Sequence, residues 1–243
     1  MVDVSRLEKP VHASVWQGSS KLVNVRRAIG FAWLHVAEAR LRTMMKWWGS
    51  MLSFGLGNPI LYLFSVGIGI GALVDANGSS SQLGGVSYLT FLAPALLATA
   101  AIQACQDELS FPIMEGFLWD KTFFAMNATP ITGRDIMNGV IASAMVRTFL
   151  TTALYEIVLL LFGAIKLDAA LPMFFTALFA GLAFGAGMMA ASTYVKEDDG
   201  FFAIVGRFIV APMFMFSGTF YPLESMPIYL QWIGWISPLW HGT

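Results

Sequence analysis

Three ionisable side chains, Arg147, Glu156 and Arg207, stand inside long runs of apolar residues. A charge there is costly unless it is paired, reaches an interface or faces water, so such groups are the first place to look for function. Arg207 lies near one end of its run and Arg147 only somewhat deeper, so each can extend its aliphatic stem to a polar boundary. Glu156 follows Tyr155 near the middle of its run. Arg147, nine residues earlier, falls half a helical rotation away on the opposite face. Glu156 is therefore a candidate for lining a polar path or a subunit seam, with a purely structural hydrogen bond as the alternative. A Glu156→Gln change that leaves transport near normal would favour the structural role.

Nothing else in the sequence gathers into a catalytic constellation. His12, His35 and His241 are far apart, and there is neither a paired-histidine zinc helix nor a Gly-x-Ser-x-Gly elbow. Cys105 is the single cysteine, has no histidine near it and reads as a small core residue. None of Lys9, Lys21, Lys46, Lys121, Lys166 and Lys196 follows a glycine, so the phosphate loop of an ATPase is missing. No catalytic, cofactor-binding or metal residue is expected on this chain, and any ATP and magnesium belong to another. A membrane-embedded lipid transferase would need Asp, His or Cys clustered at one membrane face, and the sequence offers no such cluster.

The elements that must position these residues are apolar helices. Of 243 residues, 57% are hydrophobic and 12% charged, and mean hydropathy is +0.67. A soluble domain carries about a quarter charged residues. With 14 Lys plus Arg against 15 Asp plus Glu, nothing favours a nucleic-acid partner. Five stretches approach the ~20 residues that a helix needs to cross hydrocarbon: Trp48–Leu73, Val86–Ala104, Asn138–Gly163, Ala169–Ser192 and Phe201–Phe220. Residues 1–20 contain Asp3, Arg6, Glu8 and Lys9 and no continuous apolar core, so they are not a cleavable signal. An all-α integral membrane protein follows.

Cations give the orientation, because Lys and Arg near span ends stay on the cytoplasmic side. The N-terminal arm, the 105–137 connection (Lys121, Arg134) and the 193–200 loop (Lys196) share one side; Lys166 is the single cation of the other side. The N-terminus is expected in the cytoplasm of a multi-pass cell (inner) membrane protein. Ahead of the first span, Val25–Trp48 reads as an amphipathic interfacial helix: His35, Glu38, Arg42 and Lys46 share one narrow sector, and Ile29, Trp33, Val36, Ala37, Leu41 and Met44 fill most of the rest. Docking of the same apolar face on a partner protein is compatible with this. Gly67 with Gly71, and Gly181 with Gly185, have the spacing that lets membrane helices approach closely. Residues 226–240 are apolar and aromatic but broken by Pro227, Gly234 and Pro238, which suits short helices dipping into the outer leaflet.

Two segments resemble the type-two ATP-binding-cassette (ABC) export permeases. The first runs Met114-Glu115-Gly116-Phe117-Leu118-Trp119 through Asn127-Ala128-Thr129-Pro130-Ile131 to Arg134-Asp135-Ile136 and Gly139. The second, more specific, is Phe216-Ser217-Gly218-Thr219-Phe220-Tyr221-Pro222-Leu223-Glu224-Ser225-Met226-Pro227, continuing through Trp232 to Ser237-Pro238-Leu239. The likeness covers the chain from about Arg26 onward, and among subfamilies the nodulation lipo-oligosaccharide and antibiotic exporters look most similar.

The resemblance implies an architecture and a set of partners. After a cytoplasmic arm (1–24) it implies a transmembrane domain (25–243) with an interfacial helix (25–47), a coupling loop (105–137) and an external re-entrant segment (221–240). The domain would be a six-span bundle of which five spans are visible, the sixth cut off after Thr243. A coupling helix over Gly116–Thr129 would dock in a groove of the ATPase subunit, with Phe117, Trp119, Phe123 and Phe124 as buried contacts. Glu115, Asp120 and Lys121 would form the rim, and Gly116 and Pro130 belong to the same motif. An amphipathic loop helix lying on the membrane is the competing reading, and a cross-link from Asp120 to the ATPase would separate the two. Phe216 and Ser217 join Arg147 and Glu156 as candidates for the translocation path or subunit seam. Gly218, Tyr221, Pro222, Glu224, Pro227 and Pro238 form the external re-entrant motif. The implied function is ATP-driven export, by alternating access, of an amphiphilic, lipid-linked, glycan or drug substrate. The partners would be an ABC ATPase subunit, a second permease copy or homologue, and membrane lipid. An ATP-independent carrier or channel is the alternative, and it would not need the 115–130 docking segment.

Overall fold

The structure is a computed structural model describing residues 30–76, 85–195, 197 and 200–242, and among them every regular element is a helix. The N-terminal arm 1–24, residues 25–29 of the interfacial helix, most of the 74–85 connection, and Lys196, Asp198 and Asp199 lie outside the described residues. Helix α1 (Ala32–Met45) leads into α2 (Trp48–Tyr62), which continues through a π-helical stretch (Leu63–Ile70) into α3 (Gly71–Ala76). Helix α4 (Tyr88–Leu109) is followed by a short α5 (Phe111–Met114), a π-helical turn (Glu115–Trp119) and α6 (Thr122–Asn127). The long α7 (Gly133–Leu161) and α8 (Leu167–Ser192) form an antiparallel pair. Then come α9 (Phe201–Val205), a π-helical turn (Gly206–Val210), α10 (Ala211–Phe216), a 3-10 turn (Leu223–Ser225), α11 (Ile228–Ile236) and α12 (Pro238–His241). In lipid no water is at hand for backbone polar groups, so they must bond within the helices.

Among the described residues, three helices combine the length and hydropathy to cross a membrane: Tyr88–Trp119, Gly133–Leu161 and Leu167–Ser192. The first and fifth sequence stretches form shorter apolar helices, Ile60–Val74 and Phe201–Phe216. The protein is thus an all-α integral membrane protein. Its centre is α4, more buried than α7 or α8, with Leu92, Ala93, Leu97, Ala98, Ala101, Cys105 and Leu109 inaccessible. Small residues are what permit this packing. A Cβ on Gly181 would come within 2.8 Å of the Ala101 carbonyl oxygen, and one on Gly185 would collide with the Cys105 sulfur. The two glycines let α8 lie directly on α4, where van der Waals contact rather than water exclusion holds helices together. Gly71 has no such tight neighbour, and the surroundings of Gly67 lie outside the described residues.

Three boundaries differ from the sequence expectation. Helix α4 does not end at Ala104 but runs to Leu109, because Asp107 and Glu108 find arginine partners and so need not leave the helix for water. Helix α7 begins at Gly133 rather than Asn138: Thr132 and Asp135 form a reciprocal capping box that satisfies the first backbone donors. The single coupling helix expected over Gly116–Thr129 is broken in two, because Lys121 adopts a left-handed conformation (φ 52) between the π-helical turn and α6.

At the far end from Arg40 and Glu108, the chain leaves α10 through Gly218 (φ 78), the conformation that glycine adopts without strain. It then folds back on the bundle. Leu223 packs on Gly234, and Gly242 rests against Ala98 and Ala180. Ala98 stands ten residues into α4, about 15 Å along it at ~1.5 Å per residue.

Candidate functional site

The charged end of the bundle is built on a close crossing of α1 and α7. A Cβ on Gly139 would lie 2.6 Å from the Trp33 carbonyl oxygen and from the Val36 Cβ, so glycine is what lets α1 settle there. Ala32, Val36 and Ala37 are buried in consequence, while His35, Glu38, Arg42 and Lys46 point outward. Arg40 lies one turn after Val36 and shares its inward face. Its Nη2 donates to Glu108 Oε1 at 2.8 Å, and Arg147 Nη1 on α7 donates to Glu108 Oε2 at 3.0 Å. Arg147 Nη2 also donates to Asp107 Oδ2 at 3.3 Å. Glu108 is 7% exposed, whereas the Asp107 side chain is 46% exposed.

Burial decides which of these pairs matters. The half-exposed Asp107 pair is screened by solvent and worth about 1 kcal/mol or less. Glu108 stands between two partly buried guanidinium groups, where removing one partner of such a set typically costs about 3–5 kcal/mol because a charge is left uncompensated. The set is not fully satisfied, since the Nε atoms of Arg40 and Arg147, Gln106 Oε1 and Ser110 Oγ are buried without hydrogen-bond partners.

Arg40, Asp107, Glu108 and Arg147, the charged quartet, line a cavity of about 1140 Å³. That exceeds the ~300–1,000 Å³ usual for small-molecule pockets. Trp47, Glu115, Gly116, Asp120 and Phe123 also line it; farther along α4 and α7 come Gln103, Thr99 and Thr151, then Leu96 and Tyr155, joined by Tyr62 and Phe214. The wall therefore passes from ionic through hydroxyl and amide groups to aromatic and aliphatic surface. Among the described residues no three His, Cys, Asp or Glu side chains gather as metal ligands.

The residues expected to meet an ATPase divide into two sets. Phe123 is buried within this chain, its ring resting on Gly116, where any Cβ would overlap it. It stacks edge-on against Phe117 at 4.9 Å and joins Val36, Ile113 and Val140 in a core cluster, so it is not available to a partner. Trp119 and Phe124 remain, 54% and 60% exposed. Glu115, Asp120, Lys121 and Pro130 are exposed around them.

The other candidates are scattered. Arg147 lies on the cavity, but Glu156, Phe216 and Ser217 are not among its lining residues. Glu156 follows Thr148 and Thr152 at steps of four on one face of α7, and Glu156 Oε1 and both threonine hydroxyls are buried without hydrogen-bond partners. Phe216 ends α10, and Ser217 is fully buried with its hydroxyl unpartnered. Arg207 is exposed on its π-helical turn. At the opposite end Pro222 precedes the 3-10 turn, Pro227 precedes α11 and Pro238 begins α12, while Tyr221 and Glu224 are exposed.

Sequence reasoning found Arg147 and missed Arg40, Asp107 and Glu108. A signal existed: an arginine inside an apolar run needs an anion at matching depth, and Asp107-Glu108 directly follows the second run.

Residues 38–243 match the family described as ABC-2 type transporter, a stretch that includes all four residues of the charged quartet. Similar proteins include Nodulation protein J of Rhizobium leguminosarum bv. viciae, 30% identical over 216 residues, which are 88% of this chain and 80% of that protein. Nodulation protein J of Neorhizobium galegae is 29% identical, over 90% of this chain and 77% of the relative. That of Rhizobium meliloti strain 1021 is 28% identical, over 88% and 79%. No solved structure matches the chain.

Proposed function

The chain belongs to the ABC-2 type transporter family of membrane transport subunits, and on that premise we propose that it is the permease of an ATP-driven exporter. The substrate is an amphiphilic, lipid-linked, glycan or drug molecule taken from the cytoplasmic side and moved out by alternating access. ATP and magnesium act on a separate ABC ATPase subunit, and a second permease copy or homologue completes the path. The observation that carries this reading is the cavity of about 1140 Å³, lined by ion pairs and by aromatic side chains and reaching the 111–127 segment.

Orientation and docking follow from the same reading. The cationic N-terminal side faces the cytoplasm of the cell (inner) membrane, which puts 111–127 within reach of a soluble ATPase. Trp119 and Phe124 are large, exposed and flanked by Glu115, Asp120 and Lys121, an aromatic anchor with a charged rim of the kind that dominates protein interfaces. The segment after Gly218 is the external re-entrant element, with exposed Trp232 and Trp235, a residue type that favours the membrane interface.

Vesicles carrying the permease and its ATPase test this. Labelled phospholipids, glycolipids and cationic drugs are added to inside-out vesicles, and uptake is followed with ATP and with a non-hydrolysable analogue. ATP-dependent uptake of at least one amphiphile supports the proposal. Uptake indifferent to ATP would assign the chain to carriers or channels instead.

A further inference from the structure

Glu108 holds two helices at once, one with each oxygen, and it does so at the joint of the segment assigned above to the ATPase. Oε1 takes Arg40 of α1 and Oε2 takes Arg147 of α7. Two residues later α4 stops at Ser110, whose backbone (φ −107, ψ −94) turns the chain into Phe111 and the 111–127 segment. The Ser110 hydroxyl is buried without a partner. Across the joint, the Leu109 carbonyl accepts from Ser192 Oγ on α8 at 3.1 Å.

We propose that Glu108 is a positioning residue that passes movement of the 111–127 segment to α1 and α7, and so changes the width of the cavity they enclose. The inference rests on the exporter reading.

The asymmetry of the quartet supplies the device. Asp107 and Glu108 are consecutive, about 100° apart around the helix, and Arg147 already touches both. A turn of the last residues of α4 trades one carboxylate for the other at Arg147 without stranding its charge. Arg40 bonds Glu108 and makes no ion pair with Asp107. The same turn therefore releases α1 while α7 stays held. Arg40, Asp107, Glu108 and Arg147 all line the cavity, so the exchange alters its wall directly. A rearrangement between two discrete ion-pairing patterns is the bistable kind that carries conformational coupling.

The test uses the full permease–ATPase complex in phosphatidylcholine nanodiscs and needs no transported substrate. Spin labels are placed at Met45→Cys on α1 and Phe179→Cys on α8, both exposed, and in a second sample at exposed Asn127→Cys and Phe179→Cys. The buried native Cys105 stays unlabelled. In the unsubstituted quartet, trapping with ATP and vanadate should shift both distances, on the order of 2 Å or more. With Glu108→Gln, the 127–179 shift should persist and the 45–179 shift disappear; Glu108→Asp should restore part of the 45–179 shift. Arg40→Gln repeats the test should Glu108→Gln fail to fold, and should abolish the same shift. Persistence of the 45–179 shift in these variants would overturn the inference while leaving the exporter reading intact. Absence of any bound ATPase, or of both shifts in the unsubstituted complex, would remove the reading and the inference together.

Discussion

The charged end of the bundle adds a set of ion pairs to a close helix crossing, whereas the opposite end is tied mainly by steric contact. Glu108 joins three helices through its pairs with Arg40 and Arg147. At the other end, Gly234 sits beneath Leu223, Gly242 meets Ala98 and Ala180, and Ser237 caps α12. Ion pairs have alternative partners and tolerate some displacement. Steric contacts of this kind have one arrangement and resist change. On the proposed exporter reading, the contrast suits an end that moves and an end that stays closed.

The largest effect that sharpens this contrast should come from Glu108→Ala. It leaves two partly buried guanidinium groups with Asp107 alone, and should lower stability in detergent by about 3–5 kcal/mol, read as the unfolding midpoint in a denaturant series. At the opposite end, Gly234→Leu forces new atoms against Leu223, 2.7 Å from the site of its Cβ, and the Phe216 carbonyl oxygen at 3.1 Å. That overpacking should cost about 1–3 kcal/mol by the same measurement. If Gly234→Leu cost more than Glu108→Ala, the charged end would not be the more heavily staked one. Thr132→Ala removes the capping box of α7, for a loss of about 1 kcal/mol. Smallest of all, Trp119→Ala and Phe124→Ala should each move stability by less than about 0.5 kcal/mol, because both side chains are exposed. Their effect should appear instead as reduced ATPase binding in a pull-down.

The all-helical membrane architecture was legible in the sequence because apolar run length depends on nothing distant. Helix α8 starts within two residues of its expected position, since Asp168 and the short 164–168 connection leave little choice. Tertiary pairing was not legible. Arg147 was expected to reach a polar boundary with its own stem, and its partners, Glu108 in α4 and through it Arg40 in α1, are 39 and 107 residues away in sequence. The end of α4 was misplaced for that reason: Asp107 and Glu108 look like the edge of a span until the arginines that neutralise them are known. Phe123 was expected to meet the ATPase because the resemblance implied one coupling helix there, whereas Gly116 makes a place for its ring inside. Glu156 was noticed for its depth, and its unpartnered oxygen, one turn beyond Thr152, keeps it a candidate for a path or seam.

The central claim, a permease whose motor lies on another chain, is tested most directly by purifying the tagged protein from its own membrane and assaying the eluate for magnesium-dependent ATP hydrolysis. The account expects an ATPase subunit carrying a phosphate-loop lysine to co-elute in about equal amount with the permease, and to be lost when Trp119 and Phe124 are both replaced by alanine. A well-folded permease that brings down no ATPase and no ATP hydrolysis under mild detergent would contradict it.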